Sequence, residues 1–116
     1  MTSSETQWQP AYDGSTLGTQ GAQGGTIARD EALAEQCRLT LEQDETRDFY
    51  AVTCGISGWF LHTRFFGVAS EASAAFEEMK PALAELASRL PPEGARTPEA
   101  ARRGGPLLAA FMGRFP

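Results

Sequence analysis

A chain of 116 residues, 41% of them hydrophobic and 22% charged, holds one domain rather than two and has enough apolar material to form a core without metal or disulfide staples. Fifteen acidic against ten basic residues leave a net charge of −5, which argues against sequence-independent binding to nucleic acid or to an anionic membrane surface. Most of the twelve glycines and seven prolines fall near the two ends, so the expected folding unit is shorter than the chain: a flexible N-terminal arm over residues 1–24, a sheet-plus-helix domain over 25–92, and a C-terminal linker with a short apolar helix over 93–116.

The arm carries Gly14, Gly18, Gly21, Gly24 and Gly25 among Ser, Thr and Gln, with Trp8, Tyr12 and Leu17 as its large apolar side chains and candidate docking points. Met1 to Gln9 has neither the basic n-region nor the apolar run of a secretory signal. With Cys37 and Cys54 as the two cysteines, this composition fits a cytoplasmic protein with reduced thiols. The longest uncharged run, between Asp48 and Arg64, is too short and too interrupted by Gly55 and Gly58 for a membrane-spanning helix, so no membrane association is expected.

From Cys37 to Phe66 the residues alternate with a period of two and are rich in β-branched and aromatic types, which predicts three strands. The first sets Cys37, Leu39 and Leu41 against Arg38, Thr40 and Glu42. The second sets Tyr50, Val52, Cys54 and Ile56 against Phe49, Ala51 and Thr53. The third sets Trp59, Leu61, Thr63 and Phe65 against Phe60, His62, Arg64 and Phe66. A weak fourth strand is expected between Gly25 and Asp30. A loop Asp44–Arg47 would place Cys37 opposite Cys54, and a two-residue turn at Ser57-Gly58 or Ile56-Ser57 would place Leu61 and Phe65 on the same face as Cys54. Residues 30–45 also read as a helix, because Leu33, Cys37 and Leu41 lie four apart; the strand reading is preferred because it uses Leu39 as well.

Ala69, Ala72, Phe76, Met79, Leu83, Leu86 and Leu90 recur at steps of three and four and predict one long amphipathic helix from about Ser70 to Leu90, with Ser70 as N-cap, Pro81 on its outer side and Pro91-Pro92 ending it. Residues Pro91 to Gly105 read as a linker with a short helical turn at Thr97-Pro98-Glu99, and Pro106 as the start of a short helix carrying Leu107, Leu108, Phe111, Met112 and Phe115. The expected fold class is therefore α+β, an antiparallel β-meander of three or four strands backed by one long amphipathic helix.

Catalytic motifs are sparse. Any nucleophile–base pair must use His62, the single histidine, and the expected register puts Cys54 on the other face from it. Gly55-Ile56-Ser57-Gly58 lacks the spacing of a nucleophile elbow, and the glycines of residues 18–25 are not followed by the Lys-Ser/Thr of a phosphate loop. One His and two separated Cys do not make a transition-metal ligand set, so no cofactor, metal or catalytic residue is assigned. What stands out is the second face of the third strand. Phe60, His62, Arg64 and Phe66, with Phe49 expected beside them, form an aromatic and basic surface too apolar to be simply solvated, to be covered by a chain terminus, a second copy or a ligand. The functional expectation is a small cytoplasmic non-enzymatic interaction module that forms a homodimer, with a small-molecule-binding domain using the His62 face as the alternative.

Overall fold

In the computed structural model, which describes residues 7–91 and 97–116, five strands form one antiparallel sheet in the order β1-β2-β3-β4-β5: β1 Gln9–Pro10, β2 Thr26–Leu33, β3 Cys37–Gln43, β4 Tyr50–Ile56 and β5 Phe60–Phe66. Two helices follow, α1 Ala69–Arg89 and α2 Pro98–Arg114. The class is α+β with an antiparallel sheet and a long helix, but the strands number five rather than three or four. The difference lies at the N-terminal end. The weak strand near Ile27 extends to Leu33 and closes a full hairpin with β3, and Gln9–Pro10 pairs with Glu31 and Ala32 beyond it.

Alternation in β3 and β4 puts Cys37, Leu39, Leu41, Tyr50, Val52, Cys54 and Ile56 on one side of the sheet. The apolar stripe of α1 packs there, burying Ala72, Phe76, Met79, Leu83 and Leu86. Leu39, Phe76, Met79 and Leu83 are fully buried, each contributing roughly 1.5–3 kcal/mol relative to an exposed side chain. Pro81 is inside α1 and exposed, as its place opposite the stripe predicts. The N-cap is Val68 rather than Ser70, and no side chain caps this end. Helix α1 ends at Arg89, and Pro92 lies outside the described residues.

The C-terminal region departs further from expectation. Residues 98–105, read as linker, are helical, and Pro106 sits inside α2 instead of starting it. Thr97 is the N-cap, its hydroxyl accepting from Ala100 N at 3.1 Å, and Pro98 occupies the first turn, where a missing N–H costs nothing. Gly104 explains why glycine is tolerated mid-helix. A Cβ there would lie 2.3 Å from the Trp59 ring, so the helix reaches Trp59 only because this position has no side chain. The part of the expected linker at 93–96 lies outside the described residues.

Residues 11–25, expected as part of a free arm, lie against the side of the sheet away from the helices. Two buried acids receive them. Asp30 accepts from Thr16 Oγ1 at 2.7 Å, Arg38 Nε at 2.9 Å and Thr40 Oγ1 at 3.2 Å. Glu42 accepts from the main-chain N–H groups of Gln23 and Gly25 at 3.0 and 3.1 Å. Glu42 is thus satisfied by the segment that covers it, and Asp30 by that segment together with Arg38 and Thr40 of β3. Among the described residues, no helix is long and apolar enough to cross a membrane.

Candidate functional site

The aromatic and basic surface expected on the last strand depends on which way β5 faces, and that is set by the turn before it. Ile56 pairs with Phe60, leaving a three-residue turn Ser57-Gly58-Trp59 in which Gly58 takes φ 82° and Trp59 N bonds Ile56 O at 2.9 Å. A two-residue turn was expected, and one extra residue reverses the strand. Phe60, His62, Arg64 and Phe66 therefore share the helix-facing side with Ile56, Cys54, Val52 and Tyr50, while Leu61, Thr63 and Phe65 lie on the opposite side.

The four grouped residues remain together, but they are roofed by the chain itself. Phe60 meets Phe111 of α2 edge-on at 5.7 Å. His62 Nε2 is 2.7 Å from the main-chain oxygen of Phe115, which can only accept, so the imidazole carries its proton on Nε2 and donates it there. Arg64 Nε donates to the Pro116 main-chain oxygen at 3.2 Å, and its guanidinium lies within 5.3 Å of the Phe66 and Phe115 ring centroids. Phe115 is buried beneath these contacts. Phe49, expected in the same group, is not: it packs edge-on against Phe65 at 5.9 Å, on the far side of the sheet.

The reversal also changes the relation between Cys54 and His62. They were expected on opposite faces and are instead direct cross-strand partners. The pair still lacks an activated nucleophile, because burial pushes the Cys54 thiol up to about 12, while nucleophilic cysteines are held low by nearby positive charge. The ring nitrogen His62 would need for proton transfer at Nε2 is committed to Phe115. Cys37 pairs with Ile56 and not with Cys54. Both thiols are free and buried, and burial pushes the Cys37 thiol up to about 11. Among the described residues, no group of three or more His, Cys, Asp or Glu is placed to hold a metal ion.

On the far side, residues 11–25 cover β2 and β3 but stop short of β5. Leu61 is 76% exposed and Phe65 58% exposed. Between them Thr63 shares a hydrogen bond of 3.0 Å with Thr53 of β4. At the turn end of the sheet, Leu61, Phe60 and Gly55 also border an open cleft of about 680 Å³ whose other wall carries Tyr12 stacked on Arg38. Sequence reading missed the Leu61 and Phe65 surface because it assigned both residues to the core. The one local signal is the glycine in the third position of a four-residue turn, which favours a turn centred on Ser57-Gly58 but does not fix whether Trp59 pairs or loops.

No protein-family model matches the chain, and neither does any curated protein or solved structure, so the site stands on its own geometry.

Proposed function

We propose that this protein is a small non-enzymatic interaction module of the cytoplasm that works as a homodimer, and that it associates through the last strand of the sheet, where Leu61 and Phe65 are exposed, rather than through the chain-covered His62 face. The observation that carries the reading is the exposure of Leu61 and Phe65 on the last strand of the sheet, beside a Phe49–Phe65 aromatic pair. Apolar groups clustered in this way gain from being covered. The overall charge of −5 opposes self-association at long range, but between Tyr50 and Phe66 the one charged side chain is Arg64, so β4 and β5 themselves contribute no acidic group. The cytoplasmic address is supported by two free buried thiols in a chain with no further cysteine.

The experiment is light scattering or sedimentation of the protein from about 1 to 100 μM. A dimer is expected in this range, and the Leu61→Lys, Phe65→Lys double variant is expected to stay monomeric with an unchanged far-UV circular dichroism spectrum. A wild-type protein that remains monomeric at the top of the range refutes the proposal.

A further inference from the structure

Resting on the homodimer reading, we infer that two copies join edge to edge through antiparallel pairing of their β5 strands about a two-fold axis at Thr63, making one continuous ten-stranded sheet with all helices on one side.

The two edges of the sheet are treated differently. At one end β1 is two residues long and finishes in Pro10, which lacks a donor, so this edge is blunted against further pairing. At the other end β5 is seven residues long, pairs with β4 without a register shift, and contains no Pro, Gly or Lys. Its outward main-chain groups are unused: no main-chain hydrogen bond outside the sheet involves Phe60–Phe66 among the described residues. Arg64, the one charged residue of the strand, is folded back over Met79 and the Pro116 oxygen on the helix side and does not guard the edge.

Side-chain chemistry selects the occupant and the register. A two-fold axis normal to the sheet keeps the helices of both copies on the same side, and centred on Thr63 it overlaps all seven residues. Leu61 then lies opposite the partner's Phe65, and Phe65 opposite the partner's Leu61, so each exposed apolar group meets the other. On the helix side His62 falls opposite the partner's Arg64. Moving the axis to Arg64 sets Phe65 against the partner's Thr63 and leaves Leu61 opposite the partner's Gly67. Moving it to His62 sets Leu61 against the partner's Thr63 and leaves the apolar pairs unmade. A second copy of this chain is thus the partner whose edge complements β5 in a single register.

Disulfide trapping reads the register directly. Thr63→Cys places two thiols at the axis, where opposed strand positions bring Cα atoms to about 4.5–5.5 Å, within reach of a disulfide. In Leu61→Cys or Phe65→Cys alone the like positions are four residues apart along the strand, about 13 Å, and out of reach. Under copper-phenanthroline oxidation, Thr63→Cys and the double variant Leu61→Cys, Phe65→Cys are expected to cross-link at least ten-fold faster than either single variant or the wild type, whose two cysteines are buried. Preferential cross-linking of Leu61→Cys or Phe65→Cys alone, in a protein that scattering shows to be dimeric, overturns the register and leaves the homodimer reading standing. A protein that is monomeric by scattering and cross-links at none of these positions overturns both.

Discussion

Two adjacent glycines in α2 should respond to the same substitution with opposite signs. Gly105 faces open space, with nothing within 4 Å of where a Cβ would lie, so Gly105→Ala should stabilise the protein by about 0.5–1 kcal/mol through helix propensity and a less flexible unfolded chain. Gly104 gains the same propensity but places its new methyl 2.3 Å from two Trp59 ring carbons and 3.2 Å from Leu90 Cδ2, where carbon atoms need roughly 3.5–4.0 Å. The ring cannot simply swing aside, because Trp59 Nε1 donates to the Pro91 carbonyl at 3.3 Å and that bond would be lost. Overpacking of this kind costs about 1–3 kcal/mol, which exceeds the propensity gain, so Gly104→Ala should lose about 1–2 kcal/mol net. For a domain of this size that is a fall in Tm of about 4–8 °C, against a rise of about 2–4 °C for Gly105→Ala. Thermal and urea denaturation followed by circular dichroism measure both, and tryptophan emission should shift in Gly104→Ala and not in Gly105→Ala. Equal stabilisation by the two substitutions would mean that α2 does not seat Gly104 on Trp59, and the docking of the C-terminal helix over β5 would have to be abandoned.

Asp30→Ala removes the acceptor shared by Thr16, Arg38 and Thr40 and should cost about 2–4 kcal/mol in urea denaturation, with residues 11–25 becoming accessible to limited proteolysis. Burial acts to raise the Asp30 carboxyl, but the Arg38 guanidinium and the two hydroxyls outweigh it and hold it below the ordinary 3.8. A group whose pKa is depressed by folding stabilises the fold fully above the ordinary carboxylate range and ceases to do so as pH falls through its folded value. Part of the stability lost between neutral pH and the region below pH 4 should accordingly be absent in Asp30→Asn, and an unchanged acid dependence would count against the ion pair. The two thiols, buried and pushed up by that burial, should react with a thiol reagent at mildly alkaline pH only at the rate of unfolding, so prompt labelling of folded protein would show that Cys37 or Cys54 is not enclosed.

How far the fold could be read from residues was decided by parity more than by propensity. The turn between β3 and β4 was expected at Asp44–Arg47 and is closed one residue later, with Asp44 N bonded to Phe49 O at 3.0 Å. That displacement moves the register by two residues, so Leu41 faces Val52 instead of Tyr50 while every side chain keeps its face. The next turn differs by a single residue and reverses all of β5. Nothing local distinguishes the two cases. Whether Trp59 pairs or loops is settled by its contacts with Gly104 and Pro91, both more than 30 residues away. The same long-range contact explains α2, where Gly104-Gly105-Pro106 looks like a break until the Trp59 ring is placed against it. Thr97-Pro98-Glu99 did mark the true start of that helix, and α1 was legible almost throughout because its stripe repeats over five turns. Asp30 and Glu42 gave no warning of burial, since acids on the outer face of a strand are ordinarily solvated; only the segment folded over them makes them internal.

The reversal of β5 sharpens the functional question. A strand that packs apolar residues on one side only should alternate between apolar and polar residues, as Cys37–Gln43 does with its polar side under residues 11–25. Phe60–Phe66 does not, because Phe60 and Phe66 serve the helix side while Leu61 and Phe65 occupy the other. Either choice of face leaves apolar groups outside, which is why a wrong register still drew attention to the right strand. Residues apolar on both sides belong to strands with neighbours on both edges and cover on both faces, and here the strand has β4 on one edge, α1 and α2 on one face, and nothing on the remaining two among the described residues. A sequence suited to the middle of a sheet but placed at its end is a conflict between local pattern and global position, of the kind that folded chains ordinarily avoid. The conflict disappears if β5 is the middle of a larger sheet. A second β5 supplies the missing edge and sets its own Phe65 and Leu61 laterally against these two side chains, so that the same pairing that completes the sheet also shields its exposed apolar groups in part.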